Sequence, residues 1–513
     1  MFSKINSCGI RGVEGYPVTV EADVSDGLPC FIMVGYLSEE VREAQERVRS
    51  ALRNSGFFLP PKKITINISP ADIRKEGTAF DLAIALSVLG SLGAVDLRET
   101  EKFAFIGELG LDGAVKPVRG VLSRVREAAE NGITRCFLPE DNAAEGTVIK
   151  KMEIVAVKTI REAVDFLNHP EEIRVRKFDA SLFQGGKSVQ YENDYSEISG
   201  QQTVKRASEV AAAGFHNILY IGPAGTGKTM SAVRLPTILP PITLEESIEV
   251  SRVYSVCGLL PKDQPLLNRR PFRSPHHSAT AQALVGGGRN PRPGEISLAA
   301  HGILFLDELA EFSGGVLDLL RQPMEDGKIR VARLSGSVEF PADAMLAATM
   351  NPCKCGYYPD RNRCTCTETQ IRQYLSHVSG PFLDRMDIGV EVPVAEYEDL
   401  RGKEAGEASY SMRKRVEAAR QIQEERFGKS QTRFNSRMTK EEIKTYCGLA
   451  KKDEEFLKQV YQRYGFSARG YEKILKTART AADLDERKTI GREHLGEAVS
   501  YRSFEKKYWG FRT

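Results

Sequence analysis

The stretch from Ile218 to Thr229 carries the clearest chemistry in the chain. Four mostly apolar residues, Ile218 to Ile221, read as a short buried strand. Gly222, Pro223, Ala224, Gly225, Thr226, Gly227, Lys228 and Thr229 follow in the pattern Gly-x-x-x-x-Gly-Lys-Thr. That spacing makes a phosphate-cradling loop, because glycines let backbone N–H groups turn inward toward phosphate oxygens. Lys228 reaches the β- and γ-phosphates of ATP, and the Thr229 hydroxyl can ligate Mg²⁺. A helix expected from about Lys228 to Leu235 aims its positive end at the same anion. A chance glycine-rich turn does not explain lysine, hydroxyl and preceding strand together.

Ile303 to Leu306 is a second apolar run, and it ends in Asp307-Glu308. A buried strand with acids at its C-terminal end sets them beside the nucleotide. Asp307 would hold Mg²⁺, and Glu308 would orient and polarise the attacking water. Ala344 to Thr349 is a further apolar strand ending at Asn351-Pro352. In that order Asn351 suits a polar sensor of water or γ-phosphate, although Asn-Pro alone also makes a turn.

Cys353, Cys355, Cys364 and Cys366 form two C-x-C pairs. Four thiolates on a short loop suit a closed tetrahedral Zn²⁺ site, the alternative being four reduced thiols. Asn268 to Glu295 is rich in arginine, including Arg289 and Arg292, and contains Gly286-Gly287-Gly288. Lys328 to Phe340 alternates on both sides of Ser335-Gly336, which predicts a hairpin bearing Arg330 and Arg333. Both segments are candidate polyanion contacts. The bland alternative is a capping ribbon with solvated arginines. His276 and His277 are adjacent and point different ways, so hydrogen bonding suits them better than metal ligation.

These side chains need a scaffold, and 513 residues are enough for about three domains. Residues 1–170 alternate strands (Val18–Val24, Ile64–Ile68, Phe103–Gly107) with helices (Glu40–Asn54, Phe80–Leu92, Gly120–Gly132), an α+β pattern. Residues 171–199 turn charged and polar and read as a linker, partly ordered at best. Residues 200–400 hold the phosphate loop in an α/β core, and 401–513 read all-helical. A hydrophobic share of 41% and a charged share of 27% are ordinary for soluble protein, and a net charge of +3 leaves nucleic acid to be decided by local clusters. Met1 to Ile10 shows no export signal and no run is long enough to cross a bilayer, so a cytoplasmic location is expected. Nine cysteines then favour metal or reduced thiols over disulfides.

Lys75 to Leu82, Gly107 to Gly113 and Pro117 to Gly120 resemble the Lon-protease-like domain. The positions matching its catalytic serine and lysine are Ala79 and Leu122, so the resemblance implies the fold and argues against a peptidase. Pro381 to Asp387 is similar to the Leu-x-x-Arg-Phe-Asp box of AAA+ ATPases, with Met386 at the phenylalanine position. That box implies that Arg385 acts on a neighbouring subunit's nucleotide in a ring, a hexamer. The same resemblance makes Arg469, at the start of a lid helix, the arginine that senses the γ-phosphate. The predicted hairpin is similar to those lining the pore in the AAA+ branch that includes MCM helicases and Mg-chelatases.

Ser274 to Ser278, Gly286 to Glu295, Asn351 to Tyr358 and Ser379 to Arg385 together resemble the YifB/ComM family of Mg-chelatase-like AAA+ proteins across nearly the whole chain. Ala224 departs from the family's usual second proline. The resemblance implies an ATP-driven hexameric DNA translocase that promotes branch migration on single-stranded or branched DNA, with recombination proteins as partners and no membrane role. An AAA+ remodeller of a protein partner is the second expectation, and an ATP-dependent protease the third.

Overall fold

Phe2–Arg11 pairs antiparallel with Glu14–Ser25 along its whole length. Only the second of these strands alternates apolar and polar residues in the sequence. Ser3 and Ser7 lie inside the first, and their hydroxyls donate to the carbonyls of Ser87 and Phe105. Burying a hydroxyl without such a partner would be costly. This computed structural model describes residues 2–510 except 180–182, 184–190, 262–263, 289, 334–335, 395–405, 429 and 431.

The hairpin is the middle of an eight-stranded mixed sheet, the order being Val175–Arg176, Glu153–Val157, Arg135–Pro139, Phe103–Phe105, Phe2–Arg11, Glu14–Ser25, Lys63–Ser69 and Cys30–Val34. Helix Asp81–Ser91 is buried on nearly every face, as its dense apolar run predicts. Ala79 and Leu122 are both buried. Leu122 packs in one cluster with Leu266, Leu244 and Ile248 from the central region of the chain. The position where a peptidase would need its lysine is therefore an internal contact. Ser87 is a satisfied core serine that donates to Ile84 O at 2.8 Å.

The segment expected as linker is more engaged than its composition suggests. Val175–Arg176 closes one edge of the front sheet. Tyr195 is fully buried and its hydroxyl donates to Ser231 O in the helix after the phosphate loop. Asp194 caps the turn Tyr195–Glu197 with a reciprocal capping box. Gly185 to Ser188 lie outside the described residues.

The second sheet is parallel, with the order Phe272–Arg273, Ile303–Leu306, Met345–Met350, Ile218–Ile221 and Ile388–Glu391. The three central strands are entirely buried, which is why they read as continuous apolar runs. Lys328–Arg333 and Gly336–Pro341 form a separate antiparallel hairpin. Its Ile329, Val338 and Phe340 share a core cluster with Val13 at the turn of the front hairpin. Arg252 fastens the same turn, donating to Val13 O at 3.0 Å and pairing with Glu14.

Among the described residues six α-helices follow: Ser409–Phe427, Lys440–Tyr446, Lys451–Tyr464, Ala468–Leu484, Arg492–Ser500 and Ser503–Trp509. The last was not expected from the sequence, and it lies back against the Ile388–Glu391 strand through Phe504 and Gly389. None of the described helices is long and apolar enough to cross a membrane.

Asp387 joins this helical part to the sheet. It accepts from Asn217 N at 2.9 Å and pairs with Lys473 Nζ at 2.7 Å. Burial alone would raise its pKa, but Lys473 and His216 hold the carboxyl far below its usual range. The folded pKa is depressed, so its contribution to stability is present above about pH 4 and lost on further acidification. Asp387→Asn strands a buried ammonium and is expected to cost about 3–5 kcal/mol, seen as a lower midpoint in thermal or denaturant unfolding.

Candidate nucleotide site and its neighbours

The phosphate loop turns between the Ile218–Ile221 strand and the Lys228–Arg234 helix. Gly225 and Gly227 adopt φ of +76° and +88°, a region that side chains disfavour. Gln201 supports the loop from outside by donating to Thr226 O at 2.9 Å. Lys228 is buried, and its ammonium donates to Gly222 O at 2.9 Å, Pro223 O at 2.6 Å and Asn351 Oδ1 at 3.0 Å. Burial holds Lys228 below its usual pKa range, while Asp307 and Glu308 pull the other way. A polyphosphate would supply the counter-charge that burial withholds.

Asp307 and Glu308 stand just beyond the end of Ile303–Leu306. Thr229 Oγ1 lies 3.3 and 3.4 Å from the two Asp307 oxygens. Adjacent ligands of an octahedral Mg²⁺ stand about 3.0 Å apart, so this hydroxyl and carboxylate fit one shared ion. Thr349 was not singled out as a site residue by the sequence, yet it joins the two acids. Its hydroxyl donates to Asp307 and accepts from Glu308 N at 3.2 Å. Glu308 itself has φ +54°, which is uncommon for a residue with a side chain and cost-bearing where it occurs. Its carboxylate is 63% exposed and stands 3.7 Å from His277 Nδ1.

The cysteine loop leaves directly from Asn351. The Sγ atoms of Cys353, Cys355, Cys364 and Cys366 all lie within 4.8 Å of one another, with three pairs at 3.4, 3.5 and 3.7 Å. Four sulfurs at 2.3 Å from zinc define tetrahedron edges of about 3.8 Å, so the cluster fits that ion. Gly356, at φ +89°, brings this loop against the phosphate loop, because a Cβ there would lie 3.4 Å from Ala224 N.

Two predicted site residues are elsewhere. Arg385 is buried, donates to Pro381 O at 2.8 Å and pairs with Glu325 Oε1 at 2.9 Å. Arg469 reaches the same Glu325 oxygen at 3.4 Å. Both line a cavity of about 290 Å³ with Asn217, Arg437 and Lys473. The described partner of Arg469, expected to sense the γ-phosphate, is Glu325, alongside Arg385, and Arg469 makes no described bond to the phosphate loop. The lid helices carry it to that other face. Ser467 caps its helix by accepting from Gly470 N.

The basic hairpin and the basic insert meet, since Arg333 Nε donates to Gly288 O at 3.3 Å. Arg292 closes the glycine turn by exchanging backbone hydrogen bonds with Gly287 at 2.9 and 3.0 Å. Arg330 and Lys328 both pair with Glu339, at 3.0 and 2.7 Å. Arg289 lies outside the described residues.

A five-stranded parallel sheet, a phosphate loop after its fourth strand, two acids after its second and a helical lid define a P-loop NTPase fold of the AAA+ class. Family models agree along most of the chain. Residues 194–400 match magnesium chelatase, subunit ChlI; residues 20–142 match subunit ChlI of Mg-chelatase; and residues 406–502 match its C-terminal part. The competence protein ComM of Haemophilus influenzae is 42% identical over 499 residues, covering 96% of each chain. YifB of Escherichia coli is 41% identical over 506 residues, 98% of this chain and 97% of its own. The DNA repair protein RadA of Listeria monocytogenes is 34% identical over 120 residues, 23% of this chain and 24% of its own. The chain belongs to the ComM/YifB family of Mg-chelatase-like AAA+ proteins. That family implies ATP and Mg²⁺ as its cofactors.

Proposed function

We propose that this protein is an ATP-hydrolysing ring motor that acts on single-stranded or branched DNA, and that branch migration is its reaction. Lys228 and Thr229 hold the triphosphate and Mg²⁺, Asp307 shares the ion, Glu308 activates water and Asn351 senses the γ-phosphate. Arg385 serves the nucleotide of the next subunit in a hexamer and Arg469 senses the γ-phosphate, the two sharing Glu325 as a partner within this chain. Residues 1–170, 200–400 and 401–513 act as front, motor and lid domains.

The observation that carries the DNA reading is the junction of Arg333 with Gly288, which makes the hairpin and the arginine-rich insert one basic surface. Phosphate contacts of that kind release counterions. Binding of ATP-loaded Glu308→Gln protein to single-stranded DNA should weaken steeply with salt, and Arg333→Ala should reduce the slope by about one. A salt-independent interaction, or none, removes the reading. The relative named a competence protein supports DNA uptake and recombination as the setting.

A second reading, a remodeller of a protein partner, is favoured by the pairing of Lys328 and Arg330 with Glu339, which neutralises part of the hairpin. The peptidase reading finds no support, because Ala79 and Leu122 supply neither nucleophile nor base.

We also propose structural zinc in the four-cysteine loop, bracing Asn351 and, through Gly356, the phosphate loop. Cys355→Ser should lose the metal, lower the unfolding midpoint and raise the KM for ATP. A metal-free preparation with full stability and unchanged KM contradicts the staple.

A further inference from the structure

Asn217 immediately precedes the Ile218–Ile221 strand and is buried. All four of its polar groups are engaged, and three of them meet the segment that bears Arg385. Its Nδ2 donates to Arg385 O at 2.9 Å. Its backbone N–H donates to Asp387 Oδ2 at 2.9 Å, and its carbonyl accepts from Asp387 N and Ile388 N, each at 3.0 Å. Its Oδ1 accepts from Leu346 N at 2.9 Å, near the start of the Met345–Met350 strand. The two ends of the amide cannot exchange places, because a carbonyl calls for a donor and a peptide N–H for an acceptor. One side chain therefore ties the root of the phosphate-loop strand, the root of the strand leading to Asn351, and the backbone of Arg385.

An arginine side chain is long and has many rotamers, so where its guanidinium reaches depends on where its backbone is fixed. The backbone here is gripped from two sides. Met386 O accepts from Lys473 Nζ at 3.2 Å and from Arg502, both of them from the helical part of the chain. Asn217 supplies the grip from the sheet. It stands at the end of its strand away from Gly222, about 16 Å along an extended backbone. Asn217 can thus fix Arg385 without touching the nucleotide of its own chain.

We propose that Asn217 is a positioning residue for Arg385, holding the backbone from which that guanidinium is presented to the neighbouring subunit's nucleotide. Catalytic donors act through fixed placement, and a displacement of about 1 Å is enough to cost on the order of 10²-fold in rate. The proposal rests on Arg385 acting across a subunit interface.

The test measures steady-state ATP hydrolysis by Asn217→Ala and Asn217→Asp, each alone and mixed into rings with Glu308→Gln or with Arg385→Ala. Asn217→Asp keeps an acceptor for Leu346 N but has no donor for Arg385 O. Both variants alone should lower kcat by roughly 10- to 10²-fold and leave the KM for ATP unchanged. Activity should return on mixing with Glu308→Gln, which contributes an intact Arg385 and its support, and should stay low on mixing with Arg385→Ala. The reverse pattern would mean that Asn217 serves its own phosphate loop, and overturns the proposal. Wild-type kcat, a raised KM, or loss of the folded state in both variants also overturns it. Mixing Arg385→Ala with Glu308→Gln separates the two levels of inference. If that pair stays inactive, the trans role of Arg385 falls. If it regains activity while the Asn217 variants fail to sort with Arg385→Ala, only the role of Asn217 falls.

Discussion

Glu308→Gln should keep ATP bound and lower its turnover by about 10²–10⁴-fold, the range over which positioned general bases act. The amide matches the carboxylate in shape, and the bonds that hold Lys228 and Thr229 run to Gly222, Pro223, Asn351 and Asp307, none of them to the Glu308 side chain. Binding and chemistry therefore separate at this residue. Isothermal titration with ATP and Mg²⁺ should return the wild-type affinity while phosphate release stops. Lys228→Ala should behave in the opposite way and lose nucleotide affinity, because its ammonium is the buried cation at the loop. Wild-type turnover in Glu308→Gln would transfer the water-activating role elsewhere.

Arg385→Ala should retain ATP binding and lose turnover by about 10³–10⁵-fold, as for other arginine fingers. In the isolated chain this guanidinium is occupied by Glu325 and by Pro381 O, and is not directed at its own phosphate loop. Its charge becomes useful only where a second copy brings a nucleotide to that face. Mixing inactive Arg385→Ala with inactive Glu308→Gln gives a sharp readout. A mixed ring contains sites that join an intact Glu308 from one subunit to an intact Arg385 from its neighbour, so activity should return. A finger that worked within its own chain would leave every mixed site broken. Gel filtration of the mixture with ATP present reports whether rings have formed.

The nucleotide site was readable from the chain because each part is local. A buried run followed by Gly222 to Thr229, or by Asp307-Glu308, carries its own meaning within a dozen residues. The three central strands of the parallel sheet are short, but their runs are densely apolar and the structure bears them out. What stayed hidden depends on contacts between distant segments. Glu325 has no motif, and its importance appears only when the fold brings Arg385 and Arg469 to the same oxygen. The strand Phe2–Arg11 escaped because two buried serines break its alternation, and their acceptors lie far away in sequence. The edge strand Val175–Arg176 was concealed by charge, since an edge can keep its arginine in water. Thr349 read as one more residue of an apolar strand until its hydroxyl was seen between the two acids. His276 and His277 were expected to hydrogen-bond and not to bind metal. His276 does so with Ser278, while the contact of His277 with Glu308 needed the register of two strands.

The central claim is that hydrolysis at Lys228 and Glu308 drives work on DNA. ATP turnover by the wild-type chain, measured without DNA, with single-stranded DNA and with a branched junction, tests it most directly. The account predicts stimulation by one or both DNA forms, lost in Glu308→Gln, which nonetheless retains DNA when loaded with ATP. Turnover indifferent to every DNA form, together with no DNA retained by ATP-loaded Glu308→Gln, would contradict it.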